Sequence, residues 1–385
     1  MSIPQAETIA RCPFCSNDEI MVVLYESDSI RVFPDVRPVV PGHFLIATST
    51  HYQSMEDQPP VHYQRVRVAQ QEIARRVRAG WGPVASAYEH GRSAICRFHA
   101  SDRGDTHAHV HVLPTDLDVL VRSQTMEHSQ RRPATSELQG ADRYIYQSLD
   151  GRDESWGWRP KSVPRHFLRV ALQAGLEDQG RAYICLDAPQ TEHIATIQES
   201  AAVFREHRDP ALHRVTVDGW DPTPRRGCAA ALARAWNATP VDTATLLDAV
   251  LADHELTDQA ALADHAQALH QQLLAGQLAW TTRDDHIVLA CDGSPLPSSA
   301  SPQADARRRG AMELPWLMAT VERLLDGLAQ RGRVVVAGMT AASDAITLRF
   351  GSDPDPSAAC RFSTQDLDPH AAALVAIEAV RFRMT

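Results

Sequence analysis

The sequence predicts an α+β fold in the first half of the chain and a mixed α/β domain in the second half. The chain has 385 residues, of which 44% are hydrophobic and 22% charged, values typical of two folded domains. Short runs of β-branched and aromatic residues, separated by Asp, Pro and Gly, predict strands. Apolar residues at helical spacing predict helices between and after these runs. We therefore predict a first domain over residues 1–180 and a second domain over residues 181–385.

The first part of the chain contains several predicted strands and one clear helix. The strands are predicted at residues 20–25, 30–33, 43–48, 83–88 and 108–113. Val66, Ile73 and Val77 recur at helical spacing and Gly80 follows them. This pattern predicts an amphipathic helix that ends near the glycine.

A polar loop and a hairpin are predicted to complete the first domain. Residues 122–142 are polar and predict a long surface loop. Strands at 144–149 and around Trp156 flank Asp150-Gly151, a dipeptide that suits a tight hairpin turn. A helix near 163–176 closes the domain.

The second domain alternates helices and strands but carries no motif that assigns its fold. Strands are predicted at residues 183–186, 213–217, 333–337 and 345–350, and helices at 191–204, within 226–275 and at 313–329. The last helix is predicted to start at Pro369, because Asp368 is a favourable cap and proline is favoured at a first helical position.

Composition excludes several classes of function. The formal net charge is -10, with 38 Lys+Arg against 48 Asp+Glu, so an extended nucleic acid is not an expected partner. No stretch is long and apolar enough to span a membrane, and the first residues do not resemble a signal peptide. Seven cysteines are spread thinly over the chain, unlike a secreted disulfide framework. We predict a soluble cytoplasmic protein.

Three histidines alternate along one predicted strand. His107, His109 and His111 are separated by single small or apolar residues. Because side chains at alternate positions of a strand share one face, the three imidazoles are predicted to project in a row. Adjacent imidazoles need several hydrogen-bond partners, so packing alone is a poor explanation. A purely metal-binding patch or an exposed strand edge remains an alternative.

Two cysteines near the start of the chain form a C-x-x-C pair. Cys12 and Cys15 flank Pro-Phe, and their thiols can chelate one metal or cycle as a dithiol. A metal-free, reduced dithiol suits a reducing compartment. The spacing alone leaves these alternatives open.

The order of these motifs resembles the histidine triad family, whose signature is His-x-His-x-His followed by two hydrophobic residues. CPFC near the start, the segment DSIRVFPDVRPVVPGHFLIATSTH at 28–51, AYEHG at 87–91 and the triad itself carry the resemblance. It covers about residues 10–180, and residues 181–385 resemble nothing identified. The resemblance implies an antiparallel sheet with helices in the first half.

The resemblance also implies roles for individual residues. His109 is the expected nucleophile at phosphorus, which gives a covalent nucleotidyl intermediate. His111 is expected to donate hydrogen bonds to phosphate oxygens, with His43 near it, although a histidine after a turn can also be structural. A structural zinc ion is expected on Cys12, Cys15, His51 and His107, as a closed tetrahedron.

Nucleotide binding is expected to involve a second set of residues. The resemblance places Asp35 against the ribose hydroxyls, although Asp is also a common turn residue. Ile30 and Phe33 are expected to line the slot for the base. Before the triad the chain has Arg103-Gly104-Asp105-Thr106 instead of the Gln-Ser or Gln-Thr pair of well-known members. Thr106 is then a candidate to assist the leaving group.

The predicted function is hydrolysis or nucleotidyl transfer at the α-phosphate of a nucleotide or nucleotide conjugate. A phosphoramidate or a dinucleoside polyphosphate is the expected substrate. The alternative is a non-catalytic nucleotide-binding or scaffold protein whose function lies in the second half. A homodimer is predicted through the helix that carries Val66, Ile73 and Val77, since two-fold pairing is the commonest oligomeric state.

Overall fold

In the computed structural model the chain divides into two compact units, Met1–Asp209 and Pro210–Met384. The structure describes residues 12–16, 22–92, 106–121, 127–129, 133, 137–138, 143–150, 154–158, 166–208, 212, 214–219, 222–251, 259–275, 277–283, 286–291, 294–295, 308, 311–329, 333–338, 346–350, 360–362, 367 and 369–385.

The first unit is built on one antiparallel sheet of eight strands, in the order β1-β2-β3-β5-β4-β7-β8-β6. The strands are β1 Tyr25–Glu26, β2 Ile30–Pro34, β3 Phe44–Thr48, β4 Ser86–Gly91, β5 His109–Leu113, β6 Glu127–Ser129, β7 Tyr144–Ser148 and β8 Glu154–Trp158. The helices are α1 Pro13–Ser16, α2 Pro60–Trp81, α3 Phe167–Asp178 and α4 Gln190–Glu206. The predicted antiparallel α+β fold of the first half is confirmed.

The register of the central strands defines a histidine face of the sheet. Phe33 of β2 pairs with Leu45 of β3, Leu45 pairs with His111 of β5, and His111 pairs with Tyr88 of β4. Directly paired residues of neighbouring strands point to the same face. Helix α3 covers part of this face, because Leu172 packs in one buried cluster with Tyr88.

Helices α2 and α4 lie on the opposite face. Phe44 of β3 alternates with Leu45, and its ring lies 5.7 Å from that of Trp81 and 5.2 Å from that of Phe204 in α4. On α2 the apolar stripe of Val66, Ile73 and Val77 is buried within the same unit, with at most 1% of each side chain exposed. The stripe predicted to form a homodimer is therefore used inside the chain.

The boundary between the compact units lies later than the predicted domain boundary at residue 180. Residues 181–208 pack with the first unit: the Ile184 N–H donates to the Val39 carbonyl at 2.7 Å, and the Gly42 N–H donates to Ser200 Oγ of α4 at 2.9 Å. These long-range hydrogen bonds have no local sequence signal.

The second unit is a mixed α/β structure, as predicted, with a parallel sheet of five strands in the order β10-β14-β9-β15-β16 and an antiparallel sheet of three, β11-β12-β13. The strands are β9 Arg214–Gly219, β10 Thr239–Asp242, β11 Leu278–Arg283, β12 His286–Cys291, β13 Ser294–Pro295, β14 Val334–Ala337, β15 Ile346–Phe350 and β16 Cys360–Phe362. The helices are α5 Pro222–Trp236, α6 Thr243–Leu251, α7 Gln259–Ala275, α8 Pro315–Ala329 and α9 Pro369–Met384.

Several predicted elements differ from the structure. Residues 183–186 form no strand, although Ile184 is buried. Strand β6 lies inside the segment predicted as a loop at 122–142, and its pairing partner β8 is distant in sequence. Strand β10 interrupts the segment predicted as helical at 226–275. Among the helices that the structure describes, none is long and apolar enough to cross a membrane.

Candidate active site and metal site

The three alternating histidines lie together at one end of the histidine face. His109 and His111 belong to β5 and pair with Ala47 and Leu45 of β3, while His107 immediately precedes the strand. The ring centroids of His109 and His111 are 4.9 Å apart. All three side chains are buried, with exposed fractions of 7% or less. The structure thus brings together the row that the alternation predicts.

Four side chains at the start of this row form a cluster suited to a metal ion. One donor atom from each of Cys12, Cys15, His51 and His107 lies within 4.8 Å of the others. The Cys12 sulfur is 3.3 Å from Nδ1 of His107, and the Cys15 sulfur is 3.4 Å from Nδ1 of His51. In a tetrahedral zinc site, sulfur and nitrogen ligands lie about 3.6 Å apart. The donor set and its spacing therefore fit a structural zinc ion.

Local structure orients the members of this cluster. The turn of α1 brings both thiols to one side, with the Cys15 N–H donating to the Cys12 carbonyl at 3.1 Å. Nε2 of His107 lies 2.8 Å from the Thr48 carbonyl, so its N–H donates there and the lone pair of Nδ1 faces the sulfurs. Hydrogen bonds from Cys15 and His107 hold the pKa of the Cys12 thiol well below its ordinary value, although burial raises it. The thiolate is the form that binds metals.

His109 is held in a single tautomer. Its Nδ1 lies 2.6 Å from the carbonyl of His107, so Nδ1 carries the proton and Nε2 carries the lone pair. Burial lowers the pKa of His109 to about 3, and His111 acts in the same direction. The Phe14 ring packs edge-on against the His109 ring, with centroids 5.4 Å apart. His109 is therefore a neutral imidazole with an available Nε2.

A second buried cluster lies beside His111. Nε2 of His43 is 2.9 Å from Nδ1 of His111. Oδ2 of Asp35 lies 3.3 Å from the first of these nitrogens and 3.4 Å from the second. Arg169 of α3 forms an ion pair with Oδ1 of Asp35. Burial raises the pKa of Asp35, but Arg169 more than offsets it, and the carboxyl titrates well below its ordinary range.

Asp35 does not face a ribose site in this arrangement. Its side chain has no exposed surface. Oδ1 accepts from Arg169 and from the Arg37 backbone N–H, and Oδ2 faces His43 and His111. The predicted ribose contact would require Asp35 to exchange one of these partners, because α3 brings a guanidinium to the carboxylate.

Ile30 and Phe33 cannot line one slot for the base together, contrary to the prediction from the sequence. They are three residues apart in β2 and point to opposite faces of the sheet. Phe33 shares the histidine face and packs against Phe14, with ring centroids 5.3 Å apart. Ile30 is fully buried on the side that carries α2 and α4. Only Phe33 is near the candidate site.

Thr106 is half-buried and immediately precedes His107. Its role towards a leaving group stays a prediction. Arg103 and its two following neighbours lie outside the described residues.

Two further buried residues near the site, one on β4 and one on α3, are not among the predicted site residues. His90 of β4 shares this face with Tyr88, and its ring lies 6.4 Å from that of Phe167 in α3. The neighbouring Glu89 points to the other face. Arg169 is the second missed residue, and it lies between Leu168 and Leu172 on the buried side of α3. A charged residue within an apolar stripe is a signal that it has a buried partner.

The first unit has an antiparallel sheet that presents alternating histidines on one face, with a helix behind it, as the resemblance to the histidine triad family leads us to expect. Residues 18–118 match the family model described as the HIT domain, and the chain therefore contains a HIT domain in this region. Cys12, Cys15 and Arg169 lie outside the matched segment.

Two solved structures of this class are similar to the chain. A HIT-like protein involved in cell-cycle regulation from Bartonella henselae is 25% identical, and the match covers 26% of this chain and 71% of that one with a TM-score of 0.21. A hypothetical histidine triad nucleotide-binding protein from Sulfolobus tokodaii is 22% identical over 27% of this chain and 68% of that one, with a TM-score of 0.20. No curated protein matches the chain.

Proposed function

We propose that the first unit is a nucleotide hydrolase or nucleotidyltransferase that acts at the α-phosphate through a covalent intermediate on His109. The observation that carries this proposal is the hydrogen bond from Nδ1 of His109 to the carbonyl of His107, 2.6 Å long. It directs the lone pair to Nε2, and burial keeps the ring uncharged. A neutral, oriented imidazole nitrogen is a competent nucleophile towards phosphorus.

The reaction has two displacement steps. In the first, Nε2 of His109 attacks the α-phosphorus, a P–N bond forms, and the bond to the leaving group breaks with its electron pair on the leaving atom. In the second, a water oxygen attacks phosphorus and the P–N bond returns its electrons to Nε2. The proton that the water loses passes to solvent and balances the proton that an amine leaving group takes up when it departs. An acceptor such as phosphate in place of water gives transfer. His111 stabilises the charge that develops on the phosphate oxygens.

Cys12, Cys15, His51 and His107 would hold a zinc ion with a structural role. A four-coordinate site made of protein ligands leaves no open position for catalysis. The zinc ion would anchor His107, whose backbone carbonyl accepts a hydrogen bond from Nδ1–H of His109. The protein thereby links the metal cluster to the orientation of the nucleophile.

The substrate is proposed to be a nucleoside phosphoramidate or a dinucleoside polyphosphate. The test is to mix the protein with each substrate, quench with a denaturant at alkaline pH, where a P–N bond to histidine survives, and measure the intact mass without acidification. We expect an adduct of one nucleoside monophosphate in the wild type and none in His109→Asn. The matched control is His62→Asn, because His62 lies on α2 at the opposite face of the sheet, and it should keep the adduct.

The alternative function is a nucleotide-binding scaffold without catalysis. Nucleotide binding without adduct or turnover in the wild type would support it and overturn the enzymatic proposal. Addition of inorganic phosphate separates the two enzymatic outcomes, because transfer yields a nucleoside diphosphate while hydrolysis yields a monophosphate.

A further inference from the structure

A buried chain of polar side chains runs from α3 to the triad. It consists of Arg169, Asp35, His43 and His111, none of which has more than 5% of its surface exposed. Arg169 lies beyond the segment that matches the HIT domain. This row of four side chains therefore connects helix α3, which lies outside the matched segment, to the histidine triad.

The tautomer of His43 follows from its backbone contact. The N–H of Val39 donates to Nδ1 of His43 at 3.1 Å. A neutral imidazole whose Nδ1 accepts a hydrogen bond carries its proton on Nε2. Burial holds the pKa of His43 well below its ordinary value, so the ring is neutral. Nε2–H of His43 is thus a donor, and it points at His111 and Asp35.

The tautomer of His111 follows in turn. Its Nδ1 faces Nε2–H of His43 at 2.9 Å, and two N–H donors cannot face each other at this distance. Nδ1 of His111 is therefore an acceptor, and the proton of the neutral ring is on Nε2. This leaves an N–H that is directed away from the cluster.

The same geometry argues against a second metal site at these residues. Asp35, His43 and His111 place one possible ligand atom each within 4.8 Å of the others. A cation there would need a lone pair on Nε2 of His43, where the proton resides. It would also lie near the guanidinium that pairs with Asp35. The cluster is better suited to hold a proton in place than to bind a cation.

We propose that Arg169 and Asp35 are positioning residues that fix His111, through His43, in the tautomer that carries its proton on Nε2. Arg169 keeps Asp35 ionised, so Asp35 cannot donate a proton to His43 or His111. Oδ2 of the ionised Asp35 lies 3.3 Å from Nε2 of His43 and favours a proton on that nitrogen, and this N–H donates to Nδ1 of His111. Given the proposed function, His111 then presents an N–H to the phosphate oxygens of the substrate.

The first test is the tautomer itself. Long-range ¹H–¹⁵N correlation spectra identify the protonated nitrogen of each histidine, and His111→Gln identifies the signal of His111. We expect this signal to show a protonated Nε2 and an unprotonated Nδ1 in the wild type. A His111 that is protonated at Nδ1 in the resting protein would overturn the inference. The spectra are recorded on the resting protein without substrate turnover, so their outcome tests the tautomer of His111 independently of the proposed enzymatic function.

The second test removes the guanidinium. In Arg169→Met we expect a mixture of His111 tautomers and a fall in kcat of about tenfold or more, with KM changed by less than about threefold. Arg169→Lys should restore part of the single tautomer. If Arg169→Met does not fold, Asp35→Asn makes the same comparison. An unchanged His111 tautomer in the folded variant would contradict the role of Arg169.

A matched control separates positioning from stability. Glu72 of α2 is buried and pairs with Arg75 and Arg76. Glu72→Gln should lower the melting temperature and leave the His111 tautomer and kcat unchanged. A tautomer change in this control as well would mean that loss of stability alone disturbs His111, and the inference would fail.

Discussion

The imidazole of His107 donates its Nε2–H to the backbone carbonyl of Thr48 across 2.8 Å. Because one ring nitrogen is engaged in this way, the other is fixed as an acceptor towards the two cysteines. Metal-binding histidines commonly have such a backbone partner. The contact therefore orients His107, a proposed zinc ligand, through β3, to which Thr48 belongs.

Zinc content should depend on Cys12. We expect the wild type to hold about one zinc per chain, and Cys12→Ser to lose most of it and to melt at a lower temperature, because metal binding is coupled to folding. Elemental analysis and calorimetry measure both effects. Cys185→Ser is the control, since Cys185 is exposed. Reduced wild-type protein with less than about half a zinc per chain would refute the metal site.

Stability should fall with rising pH because of Glu89. This side chain accepts from the Met55 N–H at 2.8 Å and from the Tyr144 hydroxyl at 2.7 Å. Burial raises the pKa of Glu89 to about 8 from its ordinary 4.5. The folded state therefore binds the proton more tightly than the unfolded state, and Glu89 lowers stability increasingly between these two pH values.

Glu89→Gln should remove this pH dependence while keeping an acceptor oxygen. At about 1.4 kcal/mol per pKa unit, we expect a gain on the order of 2–4 kcal/mol in the free energy of unfolding at pH 8 and little change at pH 5. Urea titrations at both pH values measure it. Glu177→Gln, at an exposed site on α3, should have no such effect. Equal changes at both pH values for Glu89→Gln would show that Glu89 is ionised in the folded protein.

Ribose hydroxyls should contribute little to recognition. Asp35 is buried and already paired with Arg169, which leaves its carboxylate little capacity to bind the sugar. We expect kcat/KM for a nucleotide substrate and its 2′-deoxy analogue to differ by less than about threefold. Loss of a hydrogen bond to an ionised group typically costs about 1.5–3 kcal/mol, which is a factor of ten or more. A decrease of that size would place a carboxylate at the ribose.

The apolar stripe of α2 should stabilise the chain itself and not an interface between two copies. Ile73 has no exposed surface, so Ile73→Ala should lower the free energy of unfolding by about 2–5 kcal/mol. Light scattering should give the same mass for the wild type and the variant. A wild-type dimer that dissociates in Ile73→Ala would instead support the predicted homodimer.

Much of the first unit can be predicted from local patterns. Alternation places His109 and His111 on one face, and the predicted antiparallel pairing of β7 with β8 is confirmed. Ser148 pairs with Glu154, so residues 149–153 connect the two strands, and Gly151 of the predicted tight turn lies outside the described residues. The helix with Val66 and Ile73 is also confirmed. These features depend on neighbours along the chain, where strand and helix periodicity is visible.

The contents of the site are less predictable, because they depend on contacts between distant segments. Arg169 meets Asp35 across 134 positions of sequence, and no periodicity reports such a pair. The wrong prediction that Ile30 lines the base slot has a simpler cause. Side chains alternate between the two faces of a strand, so residues three apart point to opposite faces. In the second unit, β10 is short and lies between helices, so local propensity does not separate it from them.

The hairpin of β7 and β8 covers an edge of the sheet that would otherwise be open. Strand β7 pairs with β4 from Ala87 to Gly91, just where the segment matching the HIT domain would otherwise present an open sheet edge. An edge with unpaired N–H and C=O groups is a template for joining other chains and for aggregation. A fragment that stops at residue 118 would expose this edge in every molecule. The hairpin covers this edge, and we expect a soluble fragment of the first unit to require it.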